Sequence, residues 1–323
     1  MAGKNFWQGR QVLVTGADGF IGSWVAKGLL EQGAQVRTIV RQPGLACSMD
    51  ALGIREKLDV KPGDITDYKA VETAFNGVDS CFHLAAQAFV EQANRNPLPT
   101  FESNIKGTWN ILEAARKGAG VERVIVASSD KAYGVQKKLP YTEDSPLLGR
   151  FPYDASKACA DVLAQGYATS YGLPVSITRN ANTFGGADLN LSRIVPGVIK
   201  WVLHNEVPVI RSDGKPKRDY VYVKDIANAY LLLGENLHRR EVRGNAFNFG
   251  SGKPVSVLEL FTRIIRLCGK KVKPHILNEA RNEIPAQWLS NRKAKKVLGW
   301  KPRYSLDQGL RETIDWYKAY YRL

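Results

Sequence analysis

The stretch Val14-Thr-Gly-Ala-Asp-Gly-Phe-Ile-Gly22 sets three glycines, Gly16, Gly19 and Gly22, at the junction between two segments of opposite character. Before it, residues 11–15 form a short β-branched and apolar run; after it, residues 21–31 carry apolar side chains at helical spacing. The pattern is a strand, a tight turn and a helix. Each glycine has a physical task there: tight turning, close approach of the backbone to a pyrophosphate, and close packing of helix on strand. The unpaired N–H groups at the helix start face the same point and favour phosphate. A glycine triplet in isolation marks only a loop. With a strand before it and a helix after it, this one predicts a dinucleotide-binding turn lined by Gly16, Asp18, Gly19, Phe20, Ile21 and Gly22.

Outward from the turn the alternation continues with strand 35–40, helix 68–75, strand 80–84, helix 100–116, strand 123–127, helix 152–171 and strand 174–179. Strands alternating with helices imply a parallel sheet covered on both faces. The expected fold is therefore α/β, a Rossmann-type doubly wound parallel sheet. Beyond about residue 185 the alternation loosens into short segments at 194–204, 207–210, 219–223, 226–233 and 246–249, followed by helical patterns at 257–267 and 307–320. This predicts a smaller mixed α/β lobe. The expected division is a dinucleotide-binding domain at 1–185, with elements returning from about 219–250, and a substrate lobe at 186–323. No internal repeat or low-complexity tract interrupts it.

The chain has 323 residues, 44% of them hydrophobic, enough for a sizeable core and against disorder. Its 46 Lys and Arg against 31 Asp and Glu give a net charge of +15, which attracts phosphorylated ligands, nucleic acid and acidic lipid alike. The basic residues are spread along the chain and the aromatics are not interleaved as base-stacking platforms, so no specific nucleic-acid role is expected. Cys47, Cys81, Cys159 and Cys268 are scattered without a CxxC pair, and no metal site is expected. With no leader pattern before the first strand and no apolar run long enough for a bilayer, a cytoplasmic, reducing location is expected.

At the end of the second strand, where an acidic residue normally bonds the adenosine ribose, the sequence reads Val40-Arg41. An arginine there stacks on adenine and pairs with a 2′-phosphate, which favours NADP over NAD; the alternative is a solvated surface arginine. Asp64, in Gly63-Asp64-Ile65 after the third strand, is either a ligand for the adenine edge or a turn cap. Tyr153 and Lys157 stand four apart at a helix start, on one face. An ammonium beside a phenol favours the phenolate, and the same lysine can bond the nicotinamide ribose. Tyr-x-x-x-Lys is common by chance as a structural helix pair. Ser128-Ser129-Asp130-Lys131, at the end of the preceding strand, gives it context, because a hydroxyl there joins the tyrosine around a substrate oxygen.

With these motifs in this order, the sequence resembles the extended short-chain dehydrogenase/reductase family, also called the NAD-dependent epimerase/dehydratase family, over nearly its whole length. The resemblance is carried further by His83-Leu-Ala-Ala-Gln87, Asn104-Ile-Lys-Gly-Thr108, Arg179-Asn-Ala-Asn-Thr-Phe-Gly185, Arg218-Asp-Tyr-Val-Tyr-Val-Lys-Asp225 and Leu298-Gly-Trp-Lys-Pro302. It implies a tightly bound, recycled NAD or NADP, contacted also by Ile65, Leu84, Ala85, Ala86, Gln87, Asn104, Ser128, Tyr153, Lys157 and Asn180. It implies that Gln87, Ser129, Asn182, Arg193, Val195, Arg218 and Arg281 bind a nucleotide-sugar. It also implies a homodimer through a four-helix bundle built from the helices at 100–116 and 152–171, whose outward faces are read to include Trp109, Ile111 and Val162.

Within the family, 4-epimerases, 4,6-dehydratases, decarboxylases and 4-keto reductases share the hydroxyl, tyrosine and lysine. A 4,6-dehydratase additionally needs an acid and a base, since water leaves C6 as a proton leaves C5. The pair Asp130-Lys131 supplies both and resembles the CDP-glucose 4,6-dehydratases and the dehydratases of UDP-N-acetylglucosamine, as do, without catalytic logic, Phe6-Trp-Gln-Gly9 and Gly22-Ser-Trp24. The expected catalytic set is Ser129, Asp130, Lys131, Tyr153 and Lys157, acting on a CDP-glucose-like or GDP-mannose-like NDP-hexose. The alternatives are a surface ion pair at Asp130-Lys131 in a 4-epimerase or 4-keto reductase, and a cofactor-binding regulator without activity.

Overall fold

The computed structural model describes residues 6–279 and 284–323. Strands β1 (Gln11–Thr15), β2 (Gln35–Val40), β3 (Asp59–Pro62), β4 (Ser80–His83), β5 (Arg123–Ala127) and β6 (Val175–Asn180) are all parallel and form one sheet. After the short strands β7 (Asn182–Phe184), β8 (Val209–Ile210), β9 (Lys217–Arg218) and β10 (Tyr220–Tyr222), β11 (Ala246–Phe249) returns to close its edge. The order is β11-β6-β5-β4-β1-β2-β3. Its direction reverses between β1 and β4, the place where a doubly wound sheet opens a crevice at the carboxyl ends of its strands. Strands β4 and β6 are buried at every position, as expected of strands covered on both faces.

Helix α1 (Phe20–Glu31) covers one face with α9 (Val223–Glu235). The core there holds Trp7, Leu29, Phe82, Tyr230 and Leu231. On the other face α3 (Tyr68–Ala74), α6 (Gly107–Lys117) and α7 (Pro152–Tyr171) bury Val71, Ile111, Leu112 and Ala164. The short helix α2 (Ser48–Ala51) packs beside α1, and α4 (Val90–Arg95) and α5 (Leu98–Phe101) pack beside α7. Proline at the first position of α7 and left-handed Gly172 (φ 63°) just past its end fix where that helix begins and stops. A third core, with Phe184, Ile199, Leu260 and Ile314, joins α8 (Ile194–Leu203), α10 (Val257–Leu267) and α12 (Leu306–Tyr321). Strands β12 (Val255–Ser256), β13 (His275–Ile276) and β14 (Ala286–Gln287) and helix α11 (Arg292–Leu298) complete the chain. β9 lies between β12 and β14.

The expected helix at 100–116 is broken. Residues Glu102–Lys106 form a π-helical turn between α5 and α6, and the extra residue in that turn re-aims Asn104. Ile111, read as outward-facing, is fully buried against α3 because the interruption resets the helix phase; Trp109 and Val162 are exposed, at 43% and 60%. The two stretches without catalytic logic have structural work. Trp7 is fully buried beside Phe82 and donates to Glu235 (3.1 Å), and Trp24 donates to the Gly186 carbonyl (2.9 Å), tying α1 to the loop after β7. Among the described residues no helix is long and apolar enough to cross a membrane.

Candidate active site

The glycine turn has the form a dinucleotide needs. Gly16 is left-handed (φ 77°), and a Cβ on it would stand 2.7 Å from the Ala85 nitrogen; a Cβ on Gly22 would collide with the Gly16 carbonyl. Helix α1 starts at Gly19 with no side-chain cap, so its first N–H groups remain available to an anion. Burial pushes the Asp18 carboxyl up, opposed by the N–H groups of the turn and by the charges of Arg41 and Arg55. Arg41 is exposed just past the end of β2, and its charge acts on Asp18. Asp64 takes the Thr66 N–H (2.8 Å), the turn-cap alternative, and Ile65 is buried under Gly107 with its carbonyl held by Asn110 (2.9 Å).

Across the crevice, Leu84 N–H bonds the Thr15 carbonyl (3.1 Å) and Ala85 N–H the Thr15 hydroxyl (3.2 Å). His83 sits between Thr15 (2.8 Å) and Thr108 (3.0 Å); burial, with Lys157 nearby, pushes its pKa down to about 3, so it is a neutral strut. Asn104 accepts from Gln87 N–H (2.7 Å) and donates to the Gln87 carbonyl (3.0 Å) and the Ser156 hydroxyl (2.9 Å). Through these bonds Asn104 holds the 84–87 loop against α7. Asn180 donates to Tyr230 (2.9 Å), while its own carbonyl oxygen is buried without a partner among the described residues. These observations, a cradle that a Cβ would fill and a buried orphan acceptor, fit a dinucleotide.

The catalytic candidates come together between β5 and α7. Ser128 donates to the Lys157 carbonyl (3.1 Å), which fixes strand end to helix. Ser129 caps a 3-10 turn, Asp130–Tyr133, accepting from Lys131 N–H and donating to the Asp130 carboxylate (both 3.2 Å). Asp130 is only 2% exposed, and its second carboxylate oxygen has no hydrogen-bond partner among the described residues. The Lys131 ammonium stands 3.7 Å from its first. Burial pushes the Tyr153 phenol up to about 12, with Arg193 and the Ser129 hydroxyl pulling it down and the Asp130 charge pushing the same way as burial. The sequence assigned that pull to Lys157. Instead the Lys157 ammonium turns back to the Ala127 carbonyl (2.8 Å), and burial lowers its pKa to about 8.

Of the nucleotide-sugar candidates, Asn182 donates to the Asp219 carbonyl (3.1 Å), and Arg193, at the start of α8, pairs with Asp188 (2.9 Å) and reaches toward Tyr153. Arg218 bonds the Lys217 carbonyl from β9 (2.9 Å). Val195 is 3% exposed and packs inside the third core. Arg281 falls outside the described residues. Sequence reasoning missed Gln287, which is fully buried and contacts both Asp130 and Lys131, and Asp154, 4% exposed beside them, whose pKa burial raises to about 6. Nothing local marks Gln287, since its partners lie more than 150 residues away.

Residues 13–313 match the family described as GDP-mannose 4,6 dehydratase. The chain is 33% identical to a UDP-glucuronate 4-epimerase of Thermodesulfobacterium geofontis over 95% of both proteins. It is 27% identical to the CDP-glucose 4,6-dehydratase of Salmonella typhimurium, covering 100% of this chain and 94% of that one. Among solved structures, a dTDP-glucose 4,6-dehydratase double mutant from Streptomyces venezuelae with NAD bound superposes with a TM-score of 0.86 at 27% identity, over 96% of this chain and 97% of the other.

Proposed function

Since the chain belongs to the GDP-mannose 4,6-dehydratase family, an enzyme family of NDP-sugar 4,6-dehydratases and 4-epimerases, we propose that it is an NDP-hexose 4,6-dehydratase. The observation that carries this reading is the burial of Asp130. A surface ion pair in an epimerase would leave its carboxylate in water, whereas this one is desolvated, has an oxygen with no hydrogen-bond partner among the described residues, and stands beside both Lys131 and Tyr153. A buried carboxylate with one oxygen left without a hydrogen bond is costly and is kept where it has chemistry to do.

A bound NAD or NADP supplies the acceptor that takes hydride from C4 of the sugar and gives it back at C6. Tyr153 accepts the proton of the sugar 4-hydroxyl, with Ser129 donating to the same oxygen and the charge of Arg193 easing phenolate formation. The 4-ketone acidifies the C5 proton. Lys131 as free amine takes that proton while Asp130 as acid protonates the departing 6-hydroxyl, so water leaves and the C5–C6 double bond forms. After the hydride is returned at C6, the Lys131 ammonium gives a proton back to C5, and the proton held by Tyr153 passes through solvent to the Asp130 carboxylate, which restores all three groups. The hexose is CDP-glucose-like or GDP-mannose-like, bound by Gln87, Asn182, Arg193, Arg218 and Arg281. Two copies of the chain pair through the exposed faces of α6 and α7.

The test is mass spectrometry of the purified protein incubated separately with CDP-glucose, GDP-mannose, UDP-glucose and UDP-N-acetylglucosamine. One substrate losing the mass of a water, without added reductant, supports the reading and names the nucleotide. Unchanged mass with an inverted C4 gives the case to the 4-epimerase, the second reading, favoured by the 33% identity to a 4-epimerase. Lys131→Ala should abolish elimination while sparing cofactor binding; full dehydratase activity in that variant sinks the base assignment.

A further inference from the structure

The Asp130–Lys131 turn follows β5 of the large sheet, and Gln287 comes from β14, in the separate three-stranded sheet with β9 and β12. The Gln287 side-chain amide donates to the Asp130 backbone carbonyl (2.9 Å), and its oxygen accepts from the Lys131 ammonium. A backbone carbonyl only accepts and an ammonium only donates, so the two contacts fix which end of the amide points where. The amide itself is held by its strand. β14 runs parallel to β9 with Gln287 opposite Arg218, and the following residues are stitched to Tyr141 by Tyr141 N–H to Trp288 O (2.9 Å) and Ser290 N–H to Tyr141 O (2.8 Å).

We propose that Gln287 is the positioning residue for Lys131, setting its amine as the base of the elimination; the proposal rests on the dehydratase reading above. Two features of the geometry point this way. Lys131 has a neutral acceptor in hydrogen-bond contact and its carboxylate neighbour only at 3.7 Å, so the group nearest the amine holds it without adding negative charge. A carboxylate in the amide's place would hold the amine equally well and keep it protonated. In addition, Gln287 is fully buried, so its grip does not compete with water. Among the described residues, Asp130 on its own turn and Asp154 on α7 carry charge beside Lys131, and Tyr153 on α7 lies by Asp130. From the facing elements Tyr141 lies near Asp130 and also feels the charge of Arg218.

The experiment separates the half-reactions on the whole protein with its cofactor: C4 oxidation by the ultraviolet band of reduced nicotinamide in a single turnover, and C5 exchange by deuterium taken up from heavy water. In Gln287→Glu the added carboxylate favours the ammonium, so the amine is freed only at higher pH. The acid limb of the C5 exchange profile should move up by about one pH unit, a loss of about tenfold at neutral pH, with C4 oxidation retained. Gln287→Met, which keeps the volume and removes both contacts, should lose C5 exchange about tenfold or more at unchanged C4 oxidation, and it carries the test if Gln287→Glu does not fold. A Gln287→Glu profile superimposable on wild type overturns the assignment, as does an equal fall of both half-reactions in Gln287→Met, the mark of a merely structural role. A wild-type protein that inverts C4 with no water lost and no deuterium at C5 overturns instead the dehydratase reading, and the proposal with it.

Discussion

Arg179→Met tests the support beneath the Asp130–Tyr133 turn. Arg179 leaves β6 and meets Asp161, one turn beyond Lys157 on α7, through two hydrogen bonds of 2.8 and 3.0 Å; the side chains are 4% and 0% exposed. The same guanidinium donates to the Tyr133 hydroxyl (2.8 Å) and the Glu143 carbonyl (3.1 Å) and lies over the Tyr133 ring. Removing it leaves the Asp161 carboxylate buried with Gln165 as its one remaining side-chain donor among the described residues. Breaking one side of a buried pair costs about 3–5 kcal/mol, because the remaining charge is uncompensated. The Tyr133 hydroxyl keeps Asn248 (2.7 Å), so its loss adds little. Removing Asp161 as well, in Asp161→Leu/Arg179→Met, takes away the stranded charge and should recover most of that loss, since well-packed apolar replacements of buried pairs are close to neutral. Urea unfolding of wild type, single and double variants at neutral pH measures all three values. A single variant within about 1 kcal/mol of wild type, or a double variant no better than the single, refutes the reasoning.

Gly22→Ala should abolish dinucleotide binding, measured by calorimetry, because its Cβ drives into the Gly16 carbonyl and forces the turn open. Arg41→Ala should weaken NADP more than NAD if its charge beside Asp18 selects a 2′-phosphate; equal affinities before and after the substitution would return Arg41 to solvent. Asp154 gives a pH dependence with a definite sign. Its pKa is raised from 3.8 to about 6 in the folded protein by burial, so its contribution is fully present below about pH 4 and is lost as pH rises through 6. Up to about 3 kcal/mol is at stake. Asp154→Asn should therefore unfold at higher urea than wild type at pH 7 and by a similar urea concentration at pH 4, and a difference independent of pH would show that the carboxyl is not the source.

The parts legible in the sequence are those in which local chemistry and tertiary role coincide. The glycine turn is one: the residues that let the chain turn tightly are the ones a pyrophosphate needs, so reading the turn reads the site. Residues 257–267 are another, where helical spacing alone bounds α10 (Val257–Leu267). The π-helical turn at Glu102–Lys106 was not legible, because it is imposed from outside the helix, by the three hydrogen bonds that Asn104 makes to Gln87 and Ser156. The same holds for Lys157. Spacing put its side chain on the face of Tyr153, but the Ala127 carbonyl, thirty residues away in sequence, decides where its ammonium goes.

That distinction bears on the chemistry. Tyr153 begins with burial pushing its phenol up to about 12, and in the protein alone the charge drawing it back belongs to Arg193, from the start of α8, not to the lysine of its own helix. Arg193 is also paired with Asp188 and is expected to hold the sugar nucleotide. A phenol poised by a residue that also binds substrate is activated when that residue is placed, so Arg193→Met should lower kcat as well as raise KM and should move the acid limb of the C4-oxidation profile, set by the Tyr153 base, to higher pH. A rise in KM alone, with the pH profile unchanged, would confine Arg193 to binding.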